Sequence, residues 1–222
     1  MDERVEQAGQ LYDRAVFSGD ASGLDQAGRE LDAAEAELAL ARGQLAHLRF
    51  LLQRDEDPDG AREDPDELPL FERAARLYAG LGDVRGEGEA LFWVGCCQQV
   101  VRRDNAAAGP ALTRSLELAS RAGDRQTMSE ALRHLGIEAH FGGRPDEARQ
   151  RLEESSRLRR ELGSPAGVAS NQIGLAYIAA AEDRRADAEA LLTEAAALAG
   201  ASGAERVLSS VREAQAELGL RG

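Results

Sequence analysis

Apolar residues along the chain recur with the spacing of amphipathic helices, and this pattern itself repeats about every 40 residues. Within each repeat, a large apolar residue is followed three positions later by a small residue and six positions later by a leucine. These offsets predict one buried stripe on a helix, with a small residue where a neighbouring helix comes close. The three series are Phe71, Leu112, Leu152 and Leu192; Ala74, Ser115, Ser155 and Ala195; and Leu77, Leu118, Leu158 and Leu198.

Glycines with the same period predict where these helices end. Glycine readily adopts the left-handed conformation that terminates a helix, and a following Asp or Ser can cap the next helix. The pattern therefore predicts helix, tight turn and second helix in every repeat. The glycines are Gly82, Gly123, Gly163 and Gly203, and the first three are followed by Asp83, Asp124 and Ser164.

A second glycine lies inside the helix that follows each turn. Glycine in a helix interior costs about 1 kcal/mol relative to alanine, so its recurrence predicts a close helix contact there. The three copies are Ala90-Leu91-x-x-Val94-Gly95, Ala131-Leu132-x-x-Leu135-Gly136 and Ala169-Ser170-x-x-Ile173-Gly174.

The period predicts one elongated all-α domain over residues 1–222, built as a solenoid of about five antiparallel helix hairpins and a terminal capping helix. The first hairpin is degenerate, and a helix break is expected between residues 40 and 42. The predicted units are a first hairpin at 3–40, a second at 42–82 with an acidic loop at 55–67, further hairpins at 83–123, 124–163 and 164–203, and a capping helix at 204–219.

The repeat resembles the tetratricopeptide repeat (TPR) superfamily, in particular the longer repeats of bacterial regulator arrays. The residues that carry the resemblance are Leu132, Leu135, Gly136, Ala148, Leu152 and Ser155. It implies a right-handed superhelix whose first helices line a concave groove. The chain departs from the family pattern because the usual proline near the end of the second helix is missing. The spacing from Gly95 to Ala108 and from Gly174 to Ala188 is also longer than that from Gly136 to Ala148.

Composition and charge narrow the function classes. The formal net charge is -13, so a basic surface stripe that would bind nucleic-acid phosphates is not expected. All 27 basic residues are arginine, which removes lysine chemistry and is typical of a GC-rich genome such as an actinobacterial one. The longest apolar run, Leu175–Ala181, falls far short of the roughly 20 residues of a membrane helix, so a cytoplasmic protein is expected.

The resemblance implies that a concave groove binds a peptide, a protein segment or a small metabolite. Arg133 would hold an anionic or carbonyl group, and Asn171 and Gln99 would form hydrogen bonds, while Phe92 and its neighbours would form apolar walls. The alternative is that the apolar residues only pack between neighbouring hairpins and that Arg133 is solvated; the residues concerned are Phe92, Ile137, Leu175 and Ile178. The candidate residues are Phe92, Trp93, Cys96, Gln99, Arg133, His134, Ile137, His140, Asn171, Leu175 and Ile178.

Other functions stay open at this stage. A pathway enzyme or accessory protein could use His134 or His140 as an acid or base, and a homodimer could fill the groove with a second copy. A shared metal ion is not expected, because His134 and His140 lie roughly 120° apart around one helix. The loop Asp55–Gly60 matches the opening of a calcium-binding loop, but a solvated connection is the simpler interpretation. No cofactor is expected.

Overall fold

Every regular element in the described chain, residues 2–220 of the computed structural model, is helical. The predicted all-α class is confirmed, with ten α-helices and one π-helical turn in this range. The helices are α1 Glu3–Ser18, α2 Leu24–Glu56, α3 Glu67–Leu81, α4 Val84–Cys96, α5 Asn105–Ala122, α6 Arg125–Phe141, α7 Pro145–Glu161, α8 Pro165–Ala181, α9 Arg185–Ala201 and α10 Glu205–Glu217. The π-helical turn is Cys97–Val101.

Helices that follow one another in the chain pack side by side in two layers. The pairs α2/α3, α4/α5, α6/α7 and α8/α9 form the tightest contacts. In addition, α4 contacts α6, α6 contacts α8 and α8 contacts α10, whereas α5, α7 and α9 pack mainly on their chain neighbours. The first helices of the hairpins therefore approach one another more closely than the second helices do. No helix in residues 2–220 is long and apolar enough to cross a bilayer.

The left-handed glycines predicted at the four turns are confirmed, and the predicted side-chain cap is confirmed at Asp83 and Asp124 but not at Ser164. Gly82, Gly123, Gly163 and Gly203 all have positive φ angles, between 66° and 73°. Each begins the short turn between the second helix of one hairpin and the first helix of the next. The carboxylate of Asp83 accepts hydrogen bonds from the backbone N–H groups of Arg85 and Gly86, and Asp124 caps α6 in the same way. Ser164 precedes α8 without a side-chain cap.

The close contact predicted at the interior glycines is confirmed for Gly95 and Gly136. A Cβ atom on Gly95 would lie 2.5 Å from Cγ of Leu112, and one on Gly136 would lie 3.0 Å from Cγ of Leu152. Both leucines belong to the second helix of the same hairpin, so these glycines set the distance between the two helices.

We expect Gly95→Ala to lower the free energy of unfolding by about 1 kcal/mol, because overpacking of about 1–3 kcal/mol exceeds the gain of about 1 kcal/mol in helix propensity. The matched control is Gly80→Ala, where a new Cβ would meet no atom within 4 Å. This control should stabilise the protein by about 0.5–1 kcal/mol. Urea denaturation followed by circular dichroism measures the free energy of unfolding of both variants. Changes of the same sign would contradict the role of Gly95 in close helix packing.

The predicted break between residues 40 and 42 is wrong. Helix α2 runs without interruption for 33 residues, from Leu24 to Glu56, and packs against both α1 and α3. The segment around the expected break, Leu38–Leu45, contains no proline, and its glycine, Gly43, packs against the ring of Phe71 instead of ending the helix. One long helix thus replaces the second helix of the first hairpin and the first helix of the second.

The predicted equivalence of Gly174 with Gly136 is also wrong. Helices α6 and α8 both contain 17 residues and begin 40 positions apart, so Ala176 occupies the place of Gly136. Ala176 is fully buried, and a Cβ on Gly174 would instead meet Leu152 of the preceding hairpin at 3.0 Å. Matching Gly174 to Gly136 therefore places the fifth hairpin two residues out of register with the fourth.

One ion pair links helices that are far apart in the chain. The guanidinium of Arg206, at the start of α10, lies 2.9 Å from the carboxylate of Asp55, at the end of α2. Helix α10 also packs on α8 and α9 and buries Val211 and Ala214. Within the acidic loop, the guanidinium of Arg62 donates hydrogen bonds to the carbonyl of Asp59 at 2.8 Å. A carbonyl oxygen of the segment that matches the opening of a calcium-binding loop is thus bound to an arginine.

Candidate functional site

A cavity of about 390 Å³ opens between α2, α4 and α6, on the side where the first helices of successive hairpins approach one another. This volume lies within the range of small-ligand sites. Its lining mixes aromatic, acidic, amide and imidazole side chains. The lining residues are His47, Leu51, Glu89, Phe92, Trp93, Cys96, Gln126, Thr127, Glu130 and His134.

One face of α4 supplies the central wall of this α2/α4/α6 cavity. Glu89, Phe92, Trp93 and Cys96 are spaced by three, one and three residues, which places all four on the same side of the helix. Helix α6 presents Glu130 and His134, one turn apart, to the opposite side. The cavity is therefore a product of facing helices and not of a loop.

A buried hydrogen-bond chain lies against one side of the cavity. Nδ1 of His47 lies 2.7 Å from Oε1 of Glu67, and Nε2 of His47 lies 3.8 Å from Sγ of Cys96. Because a carboxylate oxygen accepts, His47 donates from Nδ1 and presents Nε2 to the thiol. Burial raises the pKa of Cys96 to about 12, so the resting group is the thiol. Glu67 is fully buried, and its Oε2 has no hydrogen-bond partner in residues 2–220.

A second imidazole is fixed by an amide. Nδ1 of His134 lies 2.6 Å from Oε1 of Gln99, and Nε2 of Gln99 donates to Oδ1 of Asn105 and to the carbonyl of His134. Since both acceptors require the amide nitrogen, the amide oxygen must face His134, which therefore donates from Nδ1. Burial lowers the pKa of His134 to about 3, so the ring is neutral at physiological pH.

The two carboxylates of the cavity differ in their pairing. Glu130 forms an ion pair with the buried guanidinium of Arg159. Glu89 forms no ion pair within residues 2–220, and its one hydrogen bond, from Nε2 of Gln44, is long at 3.5 Å. Burial raises the pKa of Glu89, which means that its ionised form is poorly compensated by the protein itself. The cavity thus holds one uncompensated acidic group.

Aromatic rings form the apolar part of the wall. The ring of Trp93 stacks on Phe71 with centroids 5.5 Å apart and meets Phe92 edge-on at 5.1 Å. Phe92 in turn meets the imidazole of His134 edge-on at 5.4 Å. Because Phe71 is fully buried behind Trp93, the indole is held from the back while it lines the cavity.

The structure brings together only some of the residues that the sequence placed in the groove. Phe92, Trp93, Cys96 and His134 line the cavity, and Gln99 lies behind it as the partner of His134. The others do not line it. They are Arg133, Ile137, His140, Asn171, Leu175 and Ile178.

The prediction that Asn171 forms hydrogen bonds to a ligand in the groove is wrong, and so is the assignment of Ile178 to the groove. Asn171 is completely buried, and Nδ2 donates to the hydroxyls of Ser155 and Ser156 on α7. Ile178 is 1% exposed and packs among α6, α7 and α8 residues. The reason is the two-residue shift, because helix starts make Asn171 the counterpart of buried Ala131 and not of Arg133.

Arg133 lies next to the cavity without lining it. Its side chain is half-buried and forms no hydrogen bond or ion pair with any residue from 2 to 220. Burial and the nearby guanidinium of Arg159 lower the pKa of Arg133 to about 10, so it remains charged. The carboxylates Glu89 and Glu130, not this cation, define the polarity of the cavity.

His134 and His140 do not come together in the cavity. His134 remains neutral across the physiological range, and His140 lies one residue from the end of α6, outside the cavity lining. Across residues 2–220, no group of three or more His, Cys, Asp or Glu side chains is placed to hold a metal ion. Cys96 and Cys97 are both buried, free thiols.

Sequence reasoning missed the acidic half of the site. Glu89 lies three residues before Phe92 and Glu130 four before His134, so extending each helix face by one turn would have found them. Nothing in the sequence pointed to Glu67, which looks like an ordinary first-turn acidic residue of α3.

Comparison with known proteins does not identify a family for this chain, so the site is interpreted from the chemistry of its residues. No family model matches the chain, and no curated protein is significantly similar to it in sequence.

Proposed function

We propose that the protein is a TPR-like, right-handed solenoid that acts as a binding module, and that the α2/α4/α6 cavity takes a positively charged, partly apolar group. Such a group is an alkyl or aryl ammonium, either free or as the side chain of a bound peptide. The observation that carries this proposal is the uncompensated carboxylate of Glu89 beside the aromatic rings of Phe92 and Trp93.

Electrostatics favour a cation over an anion in this cavity. The charge of Glu130 is already offset by Arg159, while Glu89 has no ion-pair partner within the described chain and the nearby charge of Asp124 outweighs that of Arg85. A bound ammonium would supply the missing countercharge in a partly desolvated place, where an ion pair is stronger than at an open surface. The anionic ligand first expected from Arg133 would instead meet two carboxylates.

The aromatic wall favours the same class of ligand. A cation near an indole or phenyl face gains about 0.5–2 kcal/mol from the ring quadrupole. Trp93 cannot retreat from a ligand, since Phe71 stacks behind it. The thiol of Cys96 and the neutral ring of His134 complete a wall that can accept hydrogen bonds from an N–H group.

The only tryptophan of the chain, Trp93, lines this cavity, so its fluorescence reports directly on occupancy. We expect phenethylammonium to change the emission in a saturable manner and phenylacetate, of similar size and opposite charge, to have no such effect. Glu89→Gln should weaken phenethylammonium binding by roughly tenfold, because a partly buried hydrogen bond to a charged group is worth about 1.5–3 kcal/mol.

The matched control is Glu87→Gln, which changes a glutamate of the same helix that does not line the cavity. This variant should bind as the wild type does. Titration with a short lysine-containing peptide distinguishes a peptide ligand from a free amine, because only a peptide site should bind it more tightly than butylammonium. Equal responses to the ammonium and the carboxylate, or unchanged binding in Glu89→Gln, would contradict the proposal.

A further inference from the structure

Helix α2 carries apolar residues on two opposite faces. One face packs inward, mainly against α3. The opposite face lies beside α1 over its N-terminal half and is exposed beyond it, and it carries leucines along most of the helix. The buried face consists of Ala36, Ala39, Leu40, Gly43, Ala46 and Phe50.

The outward residues form a regular series that we name the leucine stripe. Its members alternate between spacings of three and four residues, which averages to the 3.5-residue period of a two-stranded coiled coil. Leu38, Leu45, Leu48 and Leu52 each leave 47% to 53% of their surface exposed. The stripe consists of Leu31, Ala34, Leu38, Ala41, Leu45, Leu48 and Leu52.

Exposed apolar side chains are concentrated at this end of the molecule. Of the eleven large apolar residues exposed within residues 2–220, nine belong to α1 or α2, and the two others are Phe141 and Leu162. Single exposed apolar residues are ordinary, but a contiguous row of them usually marks an interaction surface.

We propose that the leucine stripe binds a second copy of this chain, with the two α2 helices antiparallel and crossing at a twofold axis near Ala41. The stripe covers 22 residues, or about 32 Å of helix at 1.5 Å per residue. That length is sufficient for three heptads of coiled-coil packing.

The spacing of the stripe is nearly symmetric about Ala41, which fits a twofold axis. An antiparallel partner places Leu38 opposite Leu45 and Leu31 opposite Leu52, while Ala34 faces Leu48. Leucine therefore opposes leucine in two of these pairs, and a small residue opposes a large one in the third. Because a twofold interface uses the same patch on both copies, each pair occurs twice and the assembly closes as a dimer.

The N-terminal half of the stripe lies in a groove of about 600 Å³ between α1 and α2. Val5, Leu31 and Leu38 form apolar parts of this groove. Its acidic side chains include Glu35 and Glu37, whose partners in the chain are Arg73 and Arg4. The groove therefore offers an apolar floor with carboxylates beside it.

The C-terminal half of the stripe has the complementary charge. It is flanked by Arg42 and Arg49, neither of which forms an ion pair with another residue of the range 2–220. Antiparallel docking brings Arg49 of one copy beside Glu35 of the other, on the same side of the contact. Opposite charges at these flanking positions fix orientation in coiled coils.

Sedimentation velocity of the full chain tests the dimer. We expect the wild type to sediment as a dimer at micromolar concentration and Leu45→Glu/Leu52→Glu to raise the dissociation constant by roughly 100-fold or more, since carboxylates would be buried in an apolar seam. Circular dichroism should show unchanged helix content, because both leucines are about half exposed. The control Phe141→Glu adds a charge at an exposed aromatic outside the stripe and should leave the dimer intact.

Engineered cysteines test the orientation. Ala41→Cys should form a disulfide-linked dimer under mild oxidation, whereas Ala34→Cys should not, because residue 34 faces residue 48 of the other copy. A cross-link at Ala34→Cys would indicate parallel helices and overturn the antiparallel arrangement. A wild type that stays monomeric at 100-fold higher concentration, or a dimer unaffected by the two glutamates, would overturn the interface itself.

Discussion

Replacing His47 by leucine is expected to lower the free energy of unfolding by about 3–5 kcal/mol, because it leaves a buried carboxylate without its partner. Glu67 is fully buried, and His47 is its one ion-pair partner in the described residues. Nδ1 of His47 lies 2.7 Å from the carboxylate of Glu67. Urea denaturation at pH 7, followed by circular dichroism, measures the loss.

The double variant His47→Leu/Glu67→Leu is the control that separates an unpaired charge from lost packing. Removing both polar groups leaves no buried carboxylate, so the double variant should be more stable than His47→Leu alone. If the double variant were instead less stable than the single one, the loss would be due to side-chain packing, and the buried pair would not be the cause.

Phe71→Ala is expected to lower the free energy of unfolding by about 3–5 kcal/mol, the usual range for an aromatic residue removed from a core. Phe71 is fully buried, its ring fills the space opposite Gly43, and it stacks on Trp93. It therefore joins α2, α3 and α4. Thermal and urea denaturation measure the loss, and the emission of Trp93 should shift to longer wavelength as water reaches the indole.

Phe17→Ala is the matched control for this substitution. Phe17 is 85% exposed on α1, and its truncation should change the free energy of unfolding by less than about 0.5 kcal/mol. Equal losses in the two variants would mean that the Phe71 ring does not hold the three helices together.

The hairpins could be predicted because their signals are local. A glycine such as Gly123 ends one helix, and Asp124 caps the next, so both effects are encoded within two residues. The continuity of α2 was harder to predict, since Gly43 resembles a helix-ending glycine in sequence. In the structure Gly43 packs on Phe71, which is 28 residues away, and no local pattern reveals this contact.

The fifth hairpin shows two sequence signals in conflict. The Gly163-Ser164 turn places its first helix 40 residues after the preceding one, whereas matching Gly174 to Gly136 requires 38. The turn decides, because a helix start fixes which residues face inward, while alanine can replace glycine at a close contact. Ala176 does so, and Asn171 is consequently buried.

The cavity could be predicted only in part. Its aromatic wall follows from the repeat, since alignment of the glycines assigns Phe92 and Trp93 of α4 to the groove, and both line the cavity. The pairing of His47 with Glu67 depends on how α2 and α3 meet across the acidic loop, which the sequence does not specify. Likewise, Glu89 differs from the solvent-exposed glutamates because it is half-buried in the cavity wall, and the local sequence does not reveal this burial.

The contact between Asp55 and Arg206 adds a link between helices that do not follow one another in the chain. In an open array of helical hairpins, each hairpin contacts only its neighbours. Here a salt bridge joins the second helix to the last, so stretching the molecule must first break it. Since both side chains are about half exposed, dissolved salt screens their attraction. Raising the ionic strength is therefore expected to weaken this link between α2 and α10, which as an exposed ion pair contributes at most about 1 kcal/mol.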